Sequence, residues 1–598
     1  MRQPADLPHS ISTSASVSVP GRPRRTPEQR RYRRIRVIRR LLATALAAAL
    51  LLYAVVWLYA YADGHIGPFA PLVAGLALAL LVALLSPWLL TRYRAPLRAA
   101  LIAISTRLRS SLRSSWPVRA FAARFPRLAR FLFDRCAPAP ATAFVLIVGL
   151  FAACAVVWVF VELLVQVATG SPLVGTDTRT LNLVATLRTP RLDQAMYLLT
   201  YLGSAQTIVA LAALAVVIAL LAGRRRDAIL LVLALLAATA FFEIVKALVD
   251  RPRPPLEDAR IVQSGFSFPS GHSTIAAVFY GTVAYLLMRS LRHAAPRALV
   301  GIAAGLLVIG IGVSRVYLGV HYPSDVLAGW AAGLLWVILV IVAEHVWQMG
   351  PVPRLSRQRR VVTRFVSPVL LLVTGAALAY LYPTIPAPPQ PPPPSLTFVA
   401  DDQLPAVAID QLPHYTASLF GNRQEPVSLI FVGTRASLEA AFRAAGWSEA
   451  QTLTIASFGQ EVAAGISQQN DPAGPVTPSF LGDEPNALVF DQTVGGTVAQ
   501  RHHVRIWSTT VETTQGLPVW LATASFDEGF ELAPRVFLPT HKIDPNIDAE
   551  RAYLVASLQS AGAVTSTDTI QLVPAQSGHN FAGDPFFTDG DAVIVRLR

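Results

Sequence analysis

Three short segments of the sequence combine basic side chains with histidines, and each stands next to a long apolar run. The segments are KALVDRPRP at 246–254, FPSGHS at 268–273 and SRVYLGVHYPSD at 314–325. Ionisable residues at such boundaries are costly in a membrane and are usually functional. Lys246, Arg253 and Arg315 favour an anion, because arginines hold oxygens in paired hydrogen bonds and a lysine adds a compact charge. These cations therefore predict a phosphate-binding site.

Other polar residues of the same segments complete a site for phosphoryl transfer. Ser270 and Gly271 open a helix whose backbone N–H groups and positive dipole end would face the same anion. His321 precedes Asp325 by four residues, so the carboxylate can fix the tautomer of the ring and leave its other nitrogen as a nucleophile. His272 stands where it can protonate a departing alkoxide. The scheme needs no metal and no cofactor, since the cations neutralise the phosphate charge.

Two structural explanations compete with this interpretation. A serine, glycine or histidine at a helix start often only caps the helix. Lys246 could also form a buried ion pair with Glu243, one turn earlier on the same helix. However, only two of the 51 basic residues are lysines, which suggests that position 246 needs a compact ammonium group. We therefore predict that the segments act together.

The composition indicates that membrane helices position these residues. Apolar residues make up 53% of the 598 residues and charged residues 15%, against about 25% in ordinary soluble domains. This excludes a disordered or purely water-soluble protein, and it attributes the net charge of +15 to membrane topology rather than to nucleic-acid binding. A bilayer core needs roughly 20 apolar residues of helix. Nine runs approach or exceed that length: 41–61, 69–90, 141–167, 196–222, 228–249, 273–291, 298–318, 325–347 and 365–382.

Arginines in the connecting loops predict the orientation. The first 40 residues contain 11 arginines and no cleavable signal pattern, so the N-terminus is predicted to be cytoplasmic. Residues 91–140 hold another 11 arginines among Leu, Phe and Trp. This segment is either a basic amphipathic helix on the inner leaflet or an ordinary positive loop. The three polar segments then lie at the outer boundary, and the C-terminus lies outside.

The expected fold class is mostly α: a polytopic membrane helical bundle with a C-terminal soluble α+β domain. The predicted domains are a basic cytoplasmic tail (1–40), two transmembrane helices (41–90), an arginine-rich cytoplasmic segment (91–140), a six-helix core (141–348), a basic cytoplasmic loop (349–364), a final transmembrane helix (365–382), a proline-rich linker (383–395) and an extracytoplasmic domain (396–598). In the last domain, Thr434 and Asp548 can cap helices. It holds 10 basic and 22 acidic residues, so its net charge is −12 and that of the remainder is +27.

The polar segments also carry a family resemblance. K-x6-RP, PSGH and SR-x5-H-x3-D resemble the three signature motifs of the PAP2 (type 2 phosphatidic acid phosphatase) superfamily. The resemblance covers about residues 141–348 and implies a six-helix phosphatase core. It implies His272 as general acid, His321 as the nucleophile that forms a phosphohistidine, and Asp325 as the residue that orients the nucleophile. The phosphate-binding residues that it implies are Lys246, Arg253, Ser270, Gly271 and Arg315.

The C-terminal domain resembles that of LssY-type membrane proteins over about residues 396–570. The shared segments are QTVGG, RHHVRIW, PVWLATASFD and HKIDPNIDAER. The resemblance implies association with PAP2 cores and no assigned chemistry. A lipid headgroup, the cell envelope or another protein is the expected class of partner for residues 396–598.

The histidines of this domain leave two interpretations open. In a strand, one face carries His503, Arg505 and Trp507, and the other carries His502, Val504 and Ile506. Polar residues of this kind form either a metal or anion site or a structural set of turns and helix caps. The other residues considered for such a site are His541, Asp544 and Asp548.

The sequence therefore predicts an integral protein of the bacterial inner membrane that hydrolyses a lipid phosphomonoester or pyrophosphate at the outer face. Its expected partners are the lipid phosphate substrate and the bilayer, and no nucleic acid. Two alternatives remain. The same site could transfer phosphate to a lipid or sugar hydroxyl, or the protein could be a tethered binding or scaffold module whose function resides in the C-terminal domain.

Overall fold

The computed structural model describes residues 123–124, 140–255, 259–347, 357–380, 395–450, 478–494, 497–532, 539–580 and 583–598. Several predicted features lie outside these ranges. They are the basic tail, the two spans within 41–90, and all but a few residues of the 91–140 segment and of the proline-rich linker.

Among the described residues before the C-terminal domain, all regular structure is helical. Its helices are α1 Pro140–Ala168, α2 Pro172–Thr186, α3 Pro190–Leu202, α4 Ala205–Leu221, α5 Arg225–Val249, α6 Gly271–Met288, α7 Ala294–Tyr317, α8 Pro323–Trp347 and α9 Arg357–Tyr380. Five of the described helices are long and apolar enough to cross a membrane, or six spans exist if the bent pair α3–α4 counts as one. The predicted helical membrane bundle is confirmed.

Two predicted spans differ in detail. The run 196–222 is not one straight helix, because α3 ends before Gly203 and α4 starts after Ser204 with a bend of 48°. The Ser204 side chain accepts from the backbone N–H of Thr207 and so begins a new helix inside an apolar run. At the last predicted span, the apolar part Val366–Tyr380 is shorter than the roughly 20 residues that a bilayer core needs.

Helix α2 was not predicted, because it lacks a long apolar run. Ser171 caps its start by accepting from the Leu173 N–H, and Pro172 occupies the first turn, where its missing donor costs nothing. The helix mixes polar and apolar residues and buries Asp177 completely. It connects the C-terminal end of α1 to the start of α3, so it lies at the end of the bundle where α5 also finishes.

Helix α6 packs against α5, α7 and α8, and α8 also packs against α1. The approach of α6 and α8 is close because glycines on α8 leave no side chain between them. A Cβ atom added at Gly329 would lie 2.8 Å from the Ser270 carbonyl oxygen, and one added at Gly333 would collide with the Ala277 Cβ atom. A larger residue at either glycine would push α6 and α8 apart at Ser270 or Ala277.

The C-terminal domain is rich in strands, as predicted. The strands are β1 Thr397–Val399, β2 Tyr415–Ala417, β3 Arg423–Pro426, β4 Leu429–Val432, β5 Ser448–Glu449, β6 Phe480–Leu481, β7 Glu484–Pro485, β8 Leu488–Val494, β9 Thr497–Thr513, β10 Pro518–Leu532, β11 Pro539–Ile543, β12 Val564–Gln571, β13 Gln576–His579, β14 Pro585–Thr588 and β15 Asp591–Leu597. The main sheet has the order β12-β15-β4-β10-β9-β8-β5, with β1 paired to β9 and β11 to β10. A second sheet has the order β3-β2-β6-β7.

Within the described residues of this domain, the α-helices that pack on the main sheet are α10 Leu404–Asp410, α11 Arg435–Ala444 and α12 Ile547–Ser560. Phe442 of α11 packs with Val504 on one face of the sheet, and Leu404 of α10 belongs to the core on the other face with Trp507. The predicted division of strand residues between two faces is therefore confirmed, as is the Thr434 cap of α11. The predicted Asp548 cap is wrong, because α12 starts at Ile547 and is capped by Asn546.

Candidate active site

The three polar segments meet at one end of the helical bundle. Lys246 lies in the last turn of α5, Gly271 begins α6, Arg315 lies in the last turn of α7 and Asp325 in the first turn of α8. The backbone N–H of Ser270 donates to the Asp325 carbonyl at 2.9 Å, which fixes the first turn of α6 to that of α8. Helix packing thus joins segments that are far apart in the sequence.

His321 is buried between a carboxylate and a guanidinium, with only 1% of its surface exposed. Its Nε2 atom lies 3.1 Å from Arg253 Nη1, and its Nδ1 atom lies 3.4 Å from Asp325 Oδ2. A guanidinium only donates hydrogen bonds, so Nε2 must be the acceptor and the ring proton sits on Nδ1, facing the carboxylate. The ring therefore presents the lone pair of Nε2 toward the cations, as a nitrogen nucleophile requires.

Asp325 is fully buried, and three further groups hold its carboxylate. Oδ2 accepts from the Tyr322 N–H at 2.9 Å and from the Ser267 hydroxyl. Oδ1 accepts from Arg251 Nη1 at 2.7 Å. A carboxylate with this many donors stays ionised and cannot rotate freely, so it can orient the His321 ring.

Two of the predicted cations, Arg253 and Arg315, make hydrogen bonds with different partners. Arg253 also donates from Nη1 to the Val320 carbonyl at 2.7 Å. Arg315 is 1% exposed, donates from Nη1 to Thr200 Oγ1 at 2.6 Å and donates from Nη2 to the Gln263 side chain. Its Nε atom is buried without a hydrogen-bond partner among the described residues, so this guanidinium retains a donor for a ligand oxygen.

Lys246 is half-buried, and its Nζ atom lies 5.4 Å from the centre of the Phe242 ring. Glu243 is exposed, and within the described part of the chain no ion pair joins it to Lys246. The competing explanation of a buried ion pair therefore does not describe this lysine.

The start of α6 combines capping with close packing. The Ser270 side chain, fully buried, accepts from the Ser273 N–H and hydroxyl at 3.4 and 3.1 Å, so it caps the helix as the structural explanation holds. A Cβ atom at Gly271 would lie 3.1 Å from a ring carbon of Phe242, which leaves little room for any other residue. His272 follows in the first turn, half-buried beside Gly203.

Sequence reasoning missed the second layer of the site, which consists of Arg251, Asp177 and Ser324. Arg251 Nη2 donates to Asp177 Oδ2 at 2.8 Å while its Nη1 atom holds Asp325. Asp177 also accepts from the Ser324 N–H at 2.9 Å and from its hydroxyl. Arg251 lies inside the first polar segment, two residues before Arg253, so a second arginine in that segment was an available signal. Asp177 carried only a weak one, a single acid in an unrecognised helix.

Burial and neighbouring charges act differently on the buried groups of this site. Burial raises the pKa of Asp177 to about 6, although Arg251 acts to lower it. Burial lowers the pKa of His321 to about 3, although Asp325 acts to raise it. The ring is therefore unprotonated at neutral pH. Burial also opposes the charge of Arg251, but Asp325 and Asp177 outweigh it and raise the pKa of this guanidinium. Both conditions suit a nitrogen nucleophile beside fixed ions.

The histidines of the C-terminal domain have partners of their own. The His502 ring stacks on Tyr553 at 4.0 Å and bonds Glu550 through Nδ1 at 2.8 Å. His503 Nε2 lies 3.0 Å from Ser525 Oγ.

The acids considered with these histidines also act locally. Asp544 accepts from the Asn546 N–H, and Asp548 accepts from Arg551. In the described ranges no group of three or more His, Cys, Asp or Glu residues could hold a metal ion, and the His541 side chain lies outside them. The contacts given for His502, His503, Asp544 and Asp548 are all made with other residues of the same domain.

Two family models match the chain. The model described as the PAP2 superfamily matches residues 227–348, and the model described as the LssY C-terminus matches residues 409–592. The first match spans Lys246, His272 and His321. The second covers most of the strand-rich domain.

Individual proteins are similar to the helical part. Phosphatidylglycerophosphatase B of Bacillus subtilis (strain 168) is 34% identical over 155 residues, which make up 26% of this chain and 76% of that protein. The undecaprenyl-diphosphatase of Sulfolobus acidocaldarius is 31% identical over 140 residues, 22% of this chain and 61% of that protein. A crystal structure of a transmembrane PAP2 type phosphatidylglycerolphosphate phosphatase from Bacillus subtilis matches with 30% identity and a TM-score of 0.31, covering 33% of this chain and 98% of that one.

Proposed function

Since the chain belongs to the PAP2 superfamily and is an integral membrane phosphatase of lipid phosphates or diphosphates, we propose that it acts through a phosphohistidine formed on His321. The observation that carries this proposal is the placement of His321 between Asp325 and Arg253, with its Nε2 lone pair directed to the cations. The other residues of the site then receive roles from their positions around this ring.

In the first step, His321 Nε2 attacks the phosphorus atom and the bond from phosphorus to the lipid oxygen breaks. His272 gives its proton to the departing oxygen, so the lipid leaves as an alcohol, or as a monophosphate if the substrate is a diphosphate. Asp325 stabilises the positive charge that the His321 ring gains. In the second step, His272 takes a proton from a water molecule that attacks the phosphorus. Inorganic phosphate leaves and both histidines return to their starting states.

The phosphate is held by the cations and the start of α6. Arg253 and Arg315 bind its oxygens through N–H groups, and Lys246 adds a point charge at the same helix ends. The first turn of α6, capped by Ser270, contributes backbone N–H groups and its positive dipole end, and Gly271 keeps that turn clear. When phosphate binds, Arg253 must turn its donors from His321 Nε2 to the ligand, which frees the nucleophile.

The site is proposed to face the outside of the cell membrane, with the domains arranged as the sequence predicts. The arginines that favour the cytoplasm lie at the other end of the same helices. Arg289, after α6, binds Asp227 at the start of α5 and Glu344 near the end of α8. Such arginines mark the cytoplasmic side of membrane proteins. The C-terminal domain contacts α2 at the end that carries the site, so it belongs outside as well.

Purified full-length protein tests the reaction. We expect it to release phosphate from at least one of phosphatidylglycerol phosphate, phosphatidic acid, a polyprenyl diphosphate or a lipid A phosphate. With a substrate labelled on the phosphate, quenching during turnover should trap label on the protein in a bond that acid cleaves and alkali does not. No turnover on any of these lipids would refute the enzyme proposal. Label in an acid-stable bond would refute the phosphohistidine, and label transferred to an added lipid alcohol would favour a phosphotransferase.

Cysteine labelling tests the orientation. In a chain whose Cys136 and Cys154 are replaced by alanine, single cysteines are placed at Ser395 and at Arg292, beyond opposite ends of the bundle. A membrane-impermeant maleimide added to intact cells should label the cysteine at 395 and spare the one at 292. Permeabilised cells, in which both should react, provide the control. The reverse pattern in intact cells would place the site in the cytoplasm.

A further inference from the structure

The C-terminal domain contacts helix α2 through the turn between β6 and β7. Arg179 of α2 donates from Nε to the Gly482 carbonyl at 2.9 Å, and its Nη2 atom pairs with Asp483 Oδ1 at 3.2 Å. Asn182, one turn later, donates from Nδ2 to the Asp483 carbonyl and to Glu484 Oε1, both at 3.1 Å. These contacts use both backbone and side-chain acceptors of one tight turn, so they specify its position on the helix.

A second loop of the domain confines the same arginine. A Cβ atom added at Gly421 would lie 2.8 Å from Arg179 Nη1, and the positive φ of Gly421, 84°, is one that few other residues adopt. The Arg179 side chain is only 15% exposed although it lies beyond the apolar helices. It is therefore inserted between two turns of the domain rather than resting on its surface.

The opposite face of α2 contacts the second layer of the active site. Asp177 precedes Arg179 by two residues, a step that places the two side chains on different faces of a helix. Asp177 is fully buried and binds Arg251 Nη2 at 2.8 Å and the Ser324 N–H at 2.9 Å. Helix α2 thus lies between the C-terminal domain and the second layer of the site.

Arg251 completes the connection to the nucleophile. Its Nη1 atom holds Asp325 at 2.7 Å, and its guanidinium lies 4.1 Å from the centre of the Tyr322 ring. A displacement of α2 would move Asp177, and Arg251 would then lose one of the two carboxylates that hold its plane. Because Asp325 orients His321, such a change would reach the reacting nitrogen without any change in the phosphate-binding cations.

We propose that α2 is the docking surface of the C-terminal domain, and that the docked domain keeps Asp177 and Arg251 in the positions that orient Asp325 and His321. This inference rests on the phosphatase function proposed above. Asp177 is then a positioning residue, and the domain supports catalysis without contacting the substrate's phosphate. Hydrogen bonds join the domain to Arg179, Asp177 to Arg251, and Arg251 to Asp325, and the backbone of α2 joins Arg179 to Asp177.

Kinetics of the full chain test the connection. Asp177→Asn keeps the shape of the side chain and removes its charge, and we expect kcat to fall about 10- to 100-fold with KM changed less than about 3-fold, because misorientation affects the chemical step rather than phosphate binding. The docking variant Arg179→Ala/Asn182→Ala should lower kcat about 3- to 10-fold in the same way. Arg191→Ala is the matched control, an exposed arginine in the first turn of α3 that should behave as wild type.

A combined variant separates coupling from independent damage. If the domain acts through Asp177, adding Arg179→Ala/Asn182→Ala to Asp177→Asn should lower kcat no further than Asp177→Asn alone. A combined variant whose loss of kcat is the product of the two separate losses would overturn the proposal. A docking variant with the kcat of wild type would overturn it as well. If Asp177→Asn does not fold, as thermal unfolding would show, the docking variant decides alone through its kcat. A wild-type protein without turnover refutes the phosphatase function itself, whereas an active wild type with an unaffected docking variant refutes only the coupling.

Discussion

Replacing His321 with alanine is expected to lower phosphate release from a lipid substrate by about 10⁴-fold or more. The ring nitrogen Nε2 is the atom proposed to bond to phosphorus, and alanine offers no atom that could replace it. Arg253 and Arg315 remain in the variant, so the substrate should still bind. The loss is therefore expected in kcat, with little change in KM, and steady-state kinetics in detergent or vesicles would measure both. The variant should also fail to trap labelled phosphate.

His293→Ala is the matched control for this experiment. His293 is exposed and precedes α7, whereas the site lies at the other end of that helix, so this variant should keep wild-type turnover. His321 is buried, and its removal can cost stability of about 1–3 kcal/mol by leaving partners unsatisfied. Thermal unfolding must therefore show that the variant is folded at the assay temperature. Turnover within about tenfold of wild type by folded His321→Ala would show that another group is the nucleophile.

Asp325→Asn is expected to lower kcat by about 10²- to 10³-fold. The carboxylate faces His321 Nδ1 at 3.4 Å and accepts from Arg251 Nη1 at 2.7 Å. An amide of the same shape cannot stabilise the charge that the ring acquires when Nε2 bonds to phosphorus. It also leaves Arg251 with one carboxylate instead of two, which loosens the second layer. The same kinetic assay would measure the loss, and KM should again change little because Asp325 does not contact the phosphate.

Asp250→Asn makes the same chemical change at the same end of the bundle. Asp250 is exposed and ends α5 with a φ of 52°, a conformation that asparagine adopts readily. This control should therefore fold and turn over as wild type. Equal activity of Asp325→Asn and wild type would mean that the carboxylate has only a structural role. Loss of activity in both aspartate variants would point to a general effect of lost charge at this boundary.

The membrane helices and the residues of the site follow from local features of the sequence. An apolar run of membrane length can form a helix without contacts from other segments, because a helix in lipid satisfies its own backbone hydrogen bonds. Patterning therefore located α5, α6, α7 and α8 to within a few residues. It failed at α3–α4, where a Ser204 hydroxyl competes with the helix, and at α2, where burial comes from neighbours rather than from a long apolar run.

The amino-acid sequence alone predicts Lys246, His272 and His321 as residues that bind or attack a phosphate, because they stand at helix ends, where such residue types are unusual. How His321 is held depends on the folded arrangement, since the position of its ring proton follows from its contact with Arg253, which is distant in sequence. The same is true of Asp177 and Arg251, whose pairing joins helix α2 to the segment after α5, and no local pattern relates these two parts of the chain. Hydrogen bonds between buried ions weaken when the donor–acceptor distance changes by a few tenths of an ångström, and that distance is set by helix packing because residue spacing along the chain does not fix it.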